Sequence, residues 1–148
     1  MVVGHAPEHS VVMTSTQNIE LKLRDAGMRP TRQRMSLGNL LFGSGDRHIT
    51  AEQLHVETVR AGIAVSLATI YNTLNQFTEA GLLREVAVEG HKSYFDTNTS
   101  NHCHYYLEDE GRLIDIDGEQ LTVNGLPMPP EGMRIGRIDI IVRLEKDD

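Results

Sequence analysis

Residues 66–81 read SLATIYNTLNQFTEAG, and this stretch carries the clearest structural pattern in the chain. Its apolar residues recur every three to four positions, which is the spacing of one buried stripe on an α-helix. Ser66 can cap the start of such a helix with its side-chain oxygen, and Gly81 can end it. The pattern therefore predicts a helix over residues 67–80 that packs one side into a core. The predicted buried stripe consists of Leu67, Ile70, Leu74 and Phe77.

The opposite side of this helix is polar but carries no charge. It consists of Thr69, Asn72, Thr73 and Gln76. A helix face that is merely solvated usually carries pairs of Glu and Lys. Hydroxyl and amide groups can instead hydrogen-bond to base edges and phosphate oxygens without repulsion. The composition of this face therefore favours contact with DNA over simple exposure to water.

The flanking segments complete a known motif. Three shorter helices are predicted before this one, over residues 16–26, 31–42 and 50–61. In the third of them, Leu54 and Val59 are expected to face the core. Two strands are predicted after it and form a hairpin, over residues 82–88 and 92–96. Helices followed by a hairpin are typical of a winged helix-turn-helix, although many such folds bind protein instead of DNA.

A second domain is predicted beyond a polar hinge at residues 97–100. Its expected elements are strands at 102–107, 112–116 and 137–144, with a short helix near 118–123. Residues 101–148 bury too little apolar surface to be stable alone, so pairing with an identical copy is the natural solution. A twofold homodimer also matches two DNA half-sites. The predicted fold class is α+β, with a flexible arm at 1–15, a DNA-binding domain at 16–96 and a dimerisation and sensing domain at 101–148.

Composition restricts the class of protein. The net charge is −7, but residues 97–148 carry five basic and eleven acidic side chains, so most of the negative charge lies in the second half. Five basic residues cluster between Lys22 and Arg34. The single cysteine, Cys103, excludes an internal disulfide and a four-cysteine zinc site, and fits a reducing compartment. With no membrane-length apolar run and no signal peptide, the chain is expected to be a soluble cytoplasmic protein.

Histidines at 102 and 104 are the first candidates for chemistry. Alternate residues of a strand share one side, so His102 and His104 can reach one centre while Cys103 faces away. His48, Asp96 and Asp115 can supply further ligands, and imidazole with carboxylate suits a divalent first-row ion. A surface histidine pair and solvated carboxylates are the alternative interpretation. A small metal-dependent enzyme using these residues is a second functional class, but no catalytic motif accompanies them.

Several motifs together resemble the ferric uptake regulator family. They are GMRPTRQR at 27–34, HITAEQL at 48–54, SLATIYNTL at 66–74, AGL at 80–82, KSYFD at 92–96 and the His102-x-His104 pair. The resemblance implies an N-terminal winged helix joined to an α/β dimerisation domain, with residues 67–80 as the recognition helix. It places Tyr71 and Asn72 at bases and Arg29 in the minor groove of an A·T-rich operator. Thr69 and Lys92 are assigned to the same DNA-binding surface.

The resemblance also implies a regulatory site that links the two domains. Its matching positions are His48, Asp96, His102, His104 and Asp115. Because His48 belongs to the DNA-binding half, a bound ligand is expected to fix the arrangement of the halves and the spacing of the two recognition helices. The family's first cysteine pair is replaced here by Leu107 and Glu110, so no structural zinc site is expected.

These losses, with the loop at 126–132, resemble the iron response regulator branch of the family. That resemblance implies a repressor of iron homeostasis and haem synthesis genes that haem releases from DNA through His102 or His104. The alternative is a regulator that needs Fe(II) or Mn(II) as its corepressor. The predicted partners are therefore double-stranded DNA, a second copy of the chain and haem or a divalent metal, with no membrane.

Overall fold

The computed structural model describes residues 14–89, 92–117 and 121–147. Within them the chain forms helices first and then two small sheets, an α+β arrangement as predicted. The helices are α1 (Ser15–Asp25), α2 (Arg32–Phe42), α3 (Ala51–Arg60) and α4 (Leu67–Glu79). The strands are β1 (His48–Ile49), β2 (Arg84–Glu89), β3 (Lys92–Asp96), β4 (Cys103–Leu107), β5 (Arg112–Ile116) and β6 (Ile141–Leu144). No helix in the described ranges is long and apolar enough to cross a membrane.

Each helix begins at a hydroxyl residue that caps it. The side-chain oxygens of Thr14, Thr31, Thr50 and Ser66 each accept a hydrogen bond from the backbone N–H three residues later. In α3 the Gln53 side chain also accepts from the Thr50 backbone, which completes a capping box. These local contacts explain why helix positions could be predicted from the sequence to within one or two residues.

Residues 14–96, which hold all four helices and the first three strands and are called the helical half below, have an apolar core of their own. Ile19, Leu37, Leu54, Leu74 and Phe77 are among its members, and all four helices and both β1 and β3 contribute to it. Two predictions about helix faces are wrong. Val59 is 66% exposed, because it lies five residues after Leu54, whereas buried Thr58 lies one full turn after it.

The second incorrect assignment concerns Thr73 on α4. It was predicted on the polar face but is buried, because it lies three residues after Ile70 and four before Phe77 on the core side. The polar face is therefore narrower than predicted, and its exposed part is centred on Tyr71 and Asn72.

The strands form two three-stranded sheets. The first has the order β1-β3-β2 with antiparallel pairing, and the second has the order β5-β4-β6, in which β4 is antiparallel to β5 and parallel to β6. The sheets pack against each other through a second apolar cluster. That cluster consists of Val86, Val88 and Tyr94 from the first sheet and Tyr106 and Leu113 from the second, with Ile141 against it.

The segment after β5 differs most from prediction. Residues 137–140 precede β6 instead of belonging to it. Two of their side chains contact β2, where Arg137 donates to the Glu85 carbonyl and Asp139 accepts from Arg84. Residues 121–123 form no helix. Thr122 and Val123 are β-branched and Gly125 has a positive φ, which disfavours helix there. Residues 118–120, most of the predicted N-terminal arm and the hairpin tip at 90–91 lie outside the described residues.

Candidate metal centre

All five predicted ligand residues lie where the two sheets meet. His48 on β1 is paired with Asp96 at the end of β3, and His104 on β4 is paired with Asp115 on β5. His102 stands two residues before His104, so both imidazoles point to the same side of the second sheet. Strand register, rather than any local motif, therefore brings these residues together from distant parts of the chain.

Four of the five converge on one point. One ligand atom from each of Asp96, His102, His104 and Asp115 lies within 4.8 Å of all the others. Asp96 Oδ2 is 2.8 Å from His102 Nε2 and 3.0 Å from His104 Nε2. Asp115 Oδ1 is 3.4 Å and 3.3 Å from the same two nitrogens. His48 lies at the edge of this group, with its Nε2 3.5 Å from Asp115 Oδ1.

These spacings fit a divalent ion. Metal bonds of about 2.1 Å separate neighbouring ligand atoms by about 3.0 Å in an octahedron and about 3.4 Å in a tetrahedron. Of the four distances between nitrogen and oxygen atoms in the cluster, three fall in this range, and the 2.8 Å between His102 Nε2 and Asp96 Oδ2 is slightly shorter. Two imidazole nitrogens with two carboxylate oxygens suit Fe, Mn or Zn among common divalent ions.

The orientation of His102 supports the same interpretation. Its Nδ1 lies 2.7 Å from the Ser100 carbonyl oxygen, which only accepts hydrogen bonds, so Nδ1 carries the proton. In the neutral ring, the lone pair of Nε2 then faces the Asp96 carboxylate. Two acceptors repel each other at 2.8 Å unless a cation or a second proton lies between them. A bound cation would satisfy both groups.

The environment of Asp96 favours its ionised form, which is the form that binds a metal ion. It is buried, and burial by itself raises the pKa of this carboxyl. The contact with the His104 imidazole, the hydrogen bond from the Asn98 backbone N–H and the contact with His102 outweigh burial, so the pKa of Asp96 lies below its usual range. The carboxylate is therefore ionised at neutral pH, the form that binds metal.

One side of the centre is open. Asp115 is 46% exposed, whereas Asp96 and both strand histidines are buried. A cavity of about 430 Å³ lies beside it, and its lining includes His102, Asp115 and Asp117. An acidic opening next to a buried ligand set gives a cation a path to the site.

The predicted DNA-contacting residues lie in several places. Tyr71 and Asn72 are exposed on α4, Thr69 is half-buried there, and Arg29 is exposed between α1 and α2. The Tyr71 hydroxyl donates a 2.5 Å hydrogen bond to Glu52 at the start of α3, a contact absent from the sequence predictions. This bond, with burial and the charge of Glu52, raises the pKa of Tyr71.

Lys92 has an unexpected environment. Its ammonium group lies over the rings of Tyr94 and Tyr106, 5.6 Å and 5.8 Å from their centroids. Its Nζ is also 3.4 Å from the Tyr106 hydroxyl. In this conformation the side chain bridges the two sheets rather than reaching outward from the hairpin.

Cys103 faces away from the ligand centre, as strand alternation predicts, and it is half-buried. Residues that support the site were missed. Arg84, Ser100 and Tyr94 contact or adjoin the ligand histidines, and only the fold brings them there. The one available signal in the sequence was the place of Arg84 in a predicted strand, directly after Leu83 and two residues before Val86.

Fold and site together define a small α+β protein with a cluster of histidines and carboxylates between two sheets that could hold a metal ion. A family model described as the ferric uptake regulator family matches residues 25–141. The chain belongs to the ferric uptake regulator family.

Curated relatives agree with this assignment. The ferric uptake regulation protein of Vibrio anguillarum is 36% identical over 98 residues, covering 66% of this chain and 66% of the relative. The peroxide-responsive repressor PerR of Staphylococcus aureus is 36% identical over 100 residues, covering 68% and 67%. The match thus spans about two thirds of each relative's length. Both relatives are transcription regulators, not enzymes, which argues against the alternative of a metal-dependent enzyme.

Solved structures share the fold. The ferric uptake regulator from Pseudomonas aeruginosa, determined with manganese, superposes with a TM-score of 0.67 at 25% identity, covering 88% of this chain and 98% of that one. The ferric uptake regulator of Vibrio cholerae has the same TM-score at 24% identity, covering 86% and 98%, and supports the fold alone.

Proposed function

We propose that this chain is a homodimeric DNA-binding repressor whose affinity for its operator is set by a divalent metal ion. The observation that carries the proposal is the convergence of two imidazoles and two carboxylates at the junction of the sheets. Residues 16–96 form the winged-helix DNA-binding domain, 97–100 the hinge and 101–148 the dimerisation and sensing domain. Iron homeostasis is the regulated process that the family suggests.

The exposed side of α4 reads DNA. Tyr71 and Asn72 project from it, and neither carries a negative charge that would repel phosphate. The Asn72 amide can pair with adenine, and the Tyr71 ring can pack on thymine methyl groups, so an A·T-rich operator is expected. Arg29 is exposed between α1 and α2 and can enter a narrow minor groove.

Both halves of the chain hold the ion. His48 and Asp96 belong to the DNA-binding domain, whereas His102, His104 and Asp115 belong to the sensing domain. A divalent cation supplies the positive charge that removes repulsion among these ligands. His48 lies two residues before the capping residue of α3, so holding its ring fixes the start of α3 against the second sheet. The ligand-bound arrangement then sets where each recognition helix sits in the dimer.

The outer face of the second sheet is the dimer contact. Tyr105, Ile114, Val142 and Leu144 lie on the side facing away from the first sheet, and three of them are among the exposed large apolar residues. Tyr105 is paired with both Ile114 and Val142, so these side chains form one continuous patch. A contiguous apolar patch of this kind is typical of an interface.

Haem is the second candidate signal, with the opposite effect of releasing DNA. A cavity of about 340 Å³ beside the centre is lined by His102 and Cys103 together with apolar side chains from the segment before β6. The ligand geometry favours a small ion, because the Nε2 atoms of His102 and His104 both point to Asp96 rather than into that cavity. Haem binding would require these imidazoles to turn.

Fluorescence anisotropy of a labelled A·T-rich palindromic duplex tests the proposal. We expect Mn(II) to tighten binding by metal-free wild-type protein about tenfold or more, within the usual range of coupling between sites. His102→Ala with His104→Ala should remove this response and keep the dimer. Cys103→Ser is the matched control, because its side chain lies between the two histidines but faces away from the centre.

The outcomes separate the candidate signals. No Mn(II) response in wild-type protein, or an unchanged response in the double histidine variant, would contradict the metal-responsive repressor. Haemin that weakens binding would support the second candidate, whereas haemin that tightens it would refute haem release. Because one relative is named a peroxide-responsive repressor, an Fe(II)-loaded sample is also treated with hydrogen peroxide. Loss of DNA binding with Fe(II) but not with Mn(II) would assign that response to this chain.

A further inference from the structure

The buried side chain of Arg84 lies directly behind the metal centre. Arg84 begins β2, where its Cα is paired with that of Asp96, and its side chain is 6% exposed. Nη1 donates to the Ser100 carbonyl oxygen at 3.2 Å, and Nη2 donates to Asp139 Oδ1 at 2.5 Å. A fixed two-armed donor of this kind can hold two separate groups at once.

The Ser100 carbonyl is shared with a metal ligand. It also accepts the Nδ1–H of His102, at 2.7 Å. Arg84 therefore fixes the acceptor that determines which nitrogen of His102 carries the proton and where its ring points. Groups that orient a metal-binding histidine in this way raise metal affinity without touching the ion.

Packing alone does not explain an arginine at this position. Its Nε is buried and has no hydrogen-bond partner among the described residues. Burial of an unpaired donor destabilises a fold, so an apolar side chain would suit a purely structural role better. The positive charge of Arg84 next to a cation site would also weaken binding, but the Asp139 carboxylate offsets it.

We propose that Arg84 is a positioning residue for the metal centre. It orients His102 through the Ser100 carbonyl, and its hydrogen bond to Asp139 connects the segment before β6 to the site. The proposal rests on the proposed metal-binding function. It predicts that Arg84 controls metal affinity although it lies outside the ligand set. It also predicts that the segment entering β6 responds to the occupancy of the centre.

Arg84→Gln and Arg84→Lys test this role against Arg137→Gln as control. Arg137 also donates to Asp139, at 3.0 Å, but its other hydrogen bond among the described residues goes to the Glu85 carbonyl and not to Ser100. Titration with Mn(II) alone should give about 10–100-fold weaker binding for Arg84→Gln. Arg84→Lys should be weakened as well, because one ammonium cannot reach both acceptors in the same geometry, and Arg137→Gln should stay within about twofold of wild type.

Nuclear magnetic resonance of the imidazole nitrogens in the metal-free protein supplies an independent readout. Wild-type His102 should be protonated at Nδ1, and the Arg84 variants should show mixed tautomers or faster exchange of that proton. If Arg84→Gln fails to fold, Arg84→Lys, which keeps the charge and the aliphatic stem, gives the answer. Equal Mn(II) affinity and an unchanged His102 signal in both variants would overturn the proposal. If wild-type protein binds no Mn(II), the proposed function fails, while the tautomer measurement still tests Arg84.

Discussion

Residues 14–96 and residues 101–147 bury their apolar side chains in different ways. Among the residues that the structure describes, the helical half encloses twelve buried residues in one cluster that includes none from the second half. The second half contributes only Tyr106 and Leu113 to the fully buried part of a cluster whose other members belong to the first sheet. Its outer sheet face and most of residues 121–139 remain exposed.

This difference in the burial of apolar side chains indicates which part of the molecule a regulatory ligand can affect. The helical half buries its core among its own side chains, whereas the second half packs on the first sheet on one side and exposes the other side, where we propose that a second copy binds. A ligand at the junction of the sheets therefore acts on the contact between the two sheets, which is the contact that holds the second half in place. Local opening in a protein concentrates where buried apolar contacts are few.

The largest expected effect is a difference between the two halves in how much a truncated apolar side chain lowers the free energy of unfolding. Phe77→Ala should lower the free energy of unfolding by about 3–5 kcal/mol, because it leaves a cavity in the helical core. Ile114→Ala, on the exposed sheet face, should change the stability of the isolated subunit by about 0.5 kcal/mol or less. Urea denaturation followed by circular dichroism at low protein concentration measures both. Similar losses for the two variants would mean that the halves do not differ as described.

The next effect concerns assembly. Tyr105→Glu places a charge in the centre of the outer sheet face and should weaken the dimer about 100-fold or more, because an unpaired charge would be buried. Analytical ultracentrifugation over a concentration series measures the change. Val59→Glu is the matched control, since Val59 is an exposed apolar residue of the helical half. A dimer that survives Tyr105→Glu would place the subunit contact elsewhere.

A smaller effect is expected on DNA recognition by the helical half. Tyr71→Ala should weaken binding to the operator about tenfold while leaving binding to unrelated duplex nearly unchanged, because we propose that the ring contacts bases rather than phosphates. Tyr71→Phe keeps the ring and should retain most of the affinity. Anisotropy with specific and scrambled duplexes compares them, and equal losses on both duplexes would assign Tyr71 a structural role.

The smallest effect is a titration within the helical half. The hydrogen bond to Glu52, with burial and the Glu52 charge, raises the pKa of Tyr71. The bond needs a protonated hydroxyl, so its stabilisation is present below the ordinary tyrosine pKa of about 10 and is lost as pH rises through the raised value. Ultraviolet titration of tyrosinate should show one late-titrating group that Glu52→Gln returns towards the ordinary range. No difference between the two proteins would mean that this bond is absent in solution.

The two halves also differ in how far the sequence predicts them. Helices α1 to α4 follow from local signals, namely capping hydroxyls and apolar spacing, so their bounds were predicted closely. The errors at Val59 and Thr73 concern helix phase, which local spacing constrains weakly when both candidate residues are β-branched. Residues 121–140 were predicted least well, because their contacts, such as Asp139 with Arg84, span more than fifty residues.

The residues of the candidate site also differ in how far the sequence predicts them. Strand alternation alone suggests His102 and His104. The predicted strands and loop offered His48, Asp96 and Asp115 as further ligands, and the family resemblance strengthened them. Arg84 could not be predicted, because its role depends on a backbone carbonyl sixteen residues away. Residues that contact a ligand residue only through the fold stand at no characteristic distance from it in the sequence, so no motif reveals them.

The most direct test of coupling between the halves uses His48→Ala. This change leaves the four converging ligands in place but removes the imidazole that connects the start of α3 to Asp115. The measurement is operator affinity with and without saturating Mn(II), with metal occupancy confirmed on the same samples. The account predicts that the variant binds Mn(II) but loses most of the metal-dependent gain in operator affinity. A variant that binds Mn(II) and keeps the full wild-type gain would contradict it.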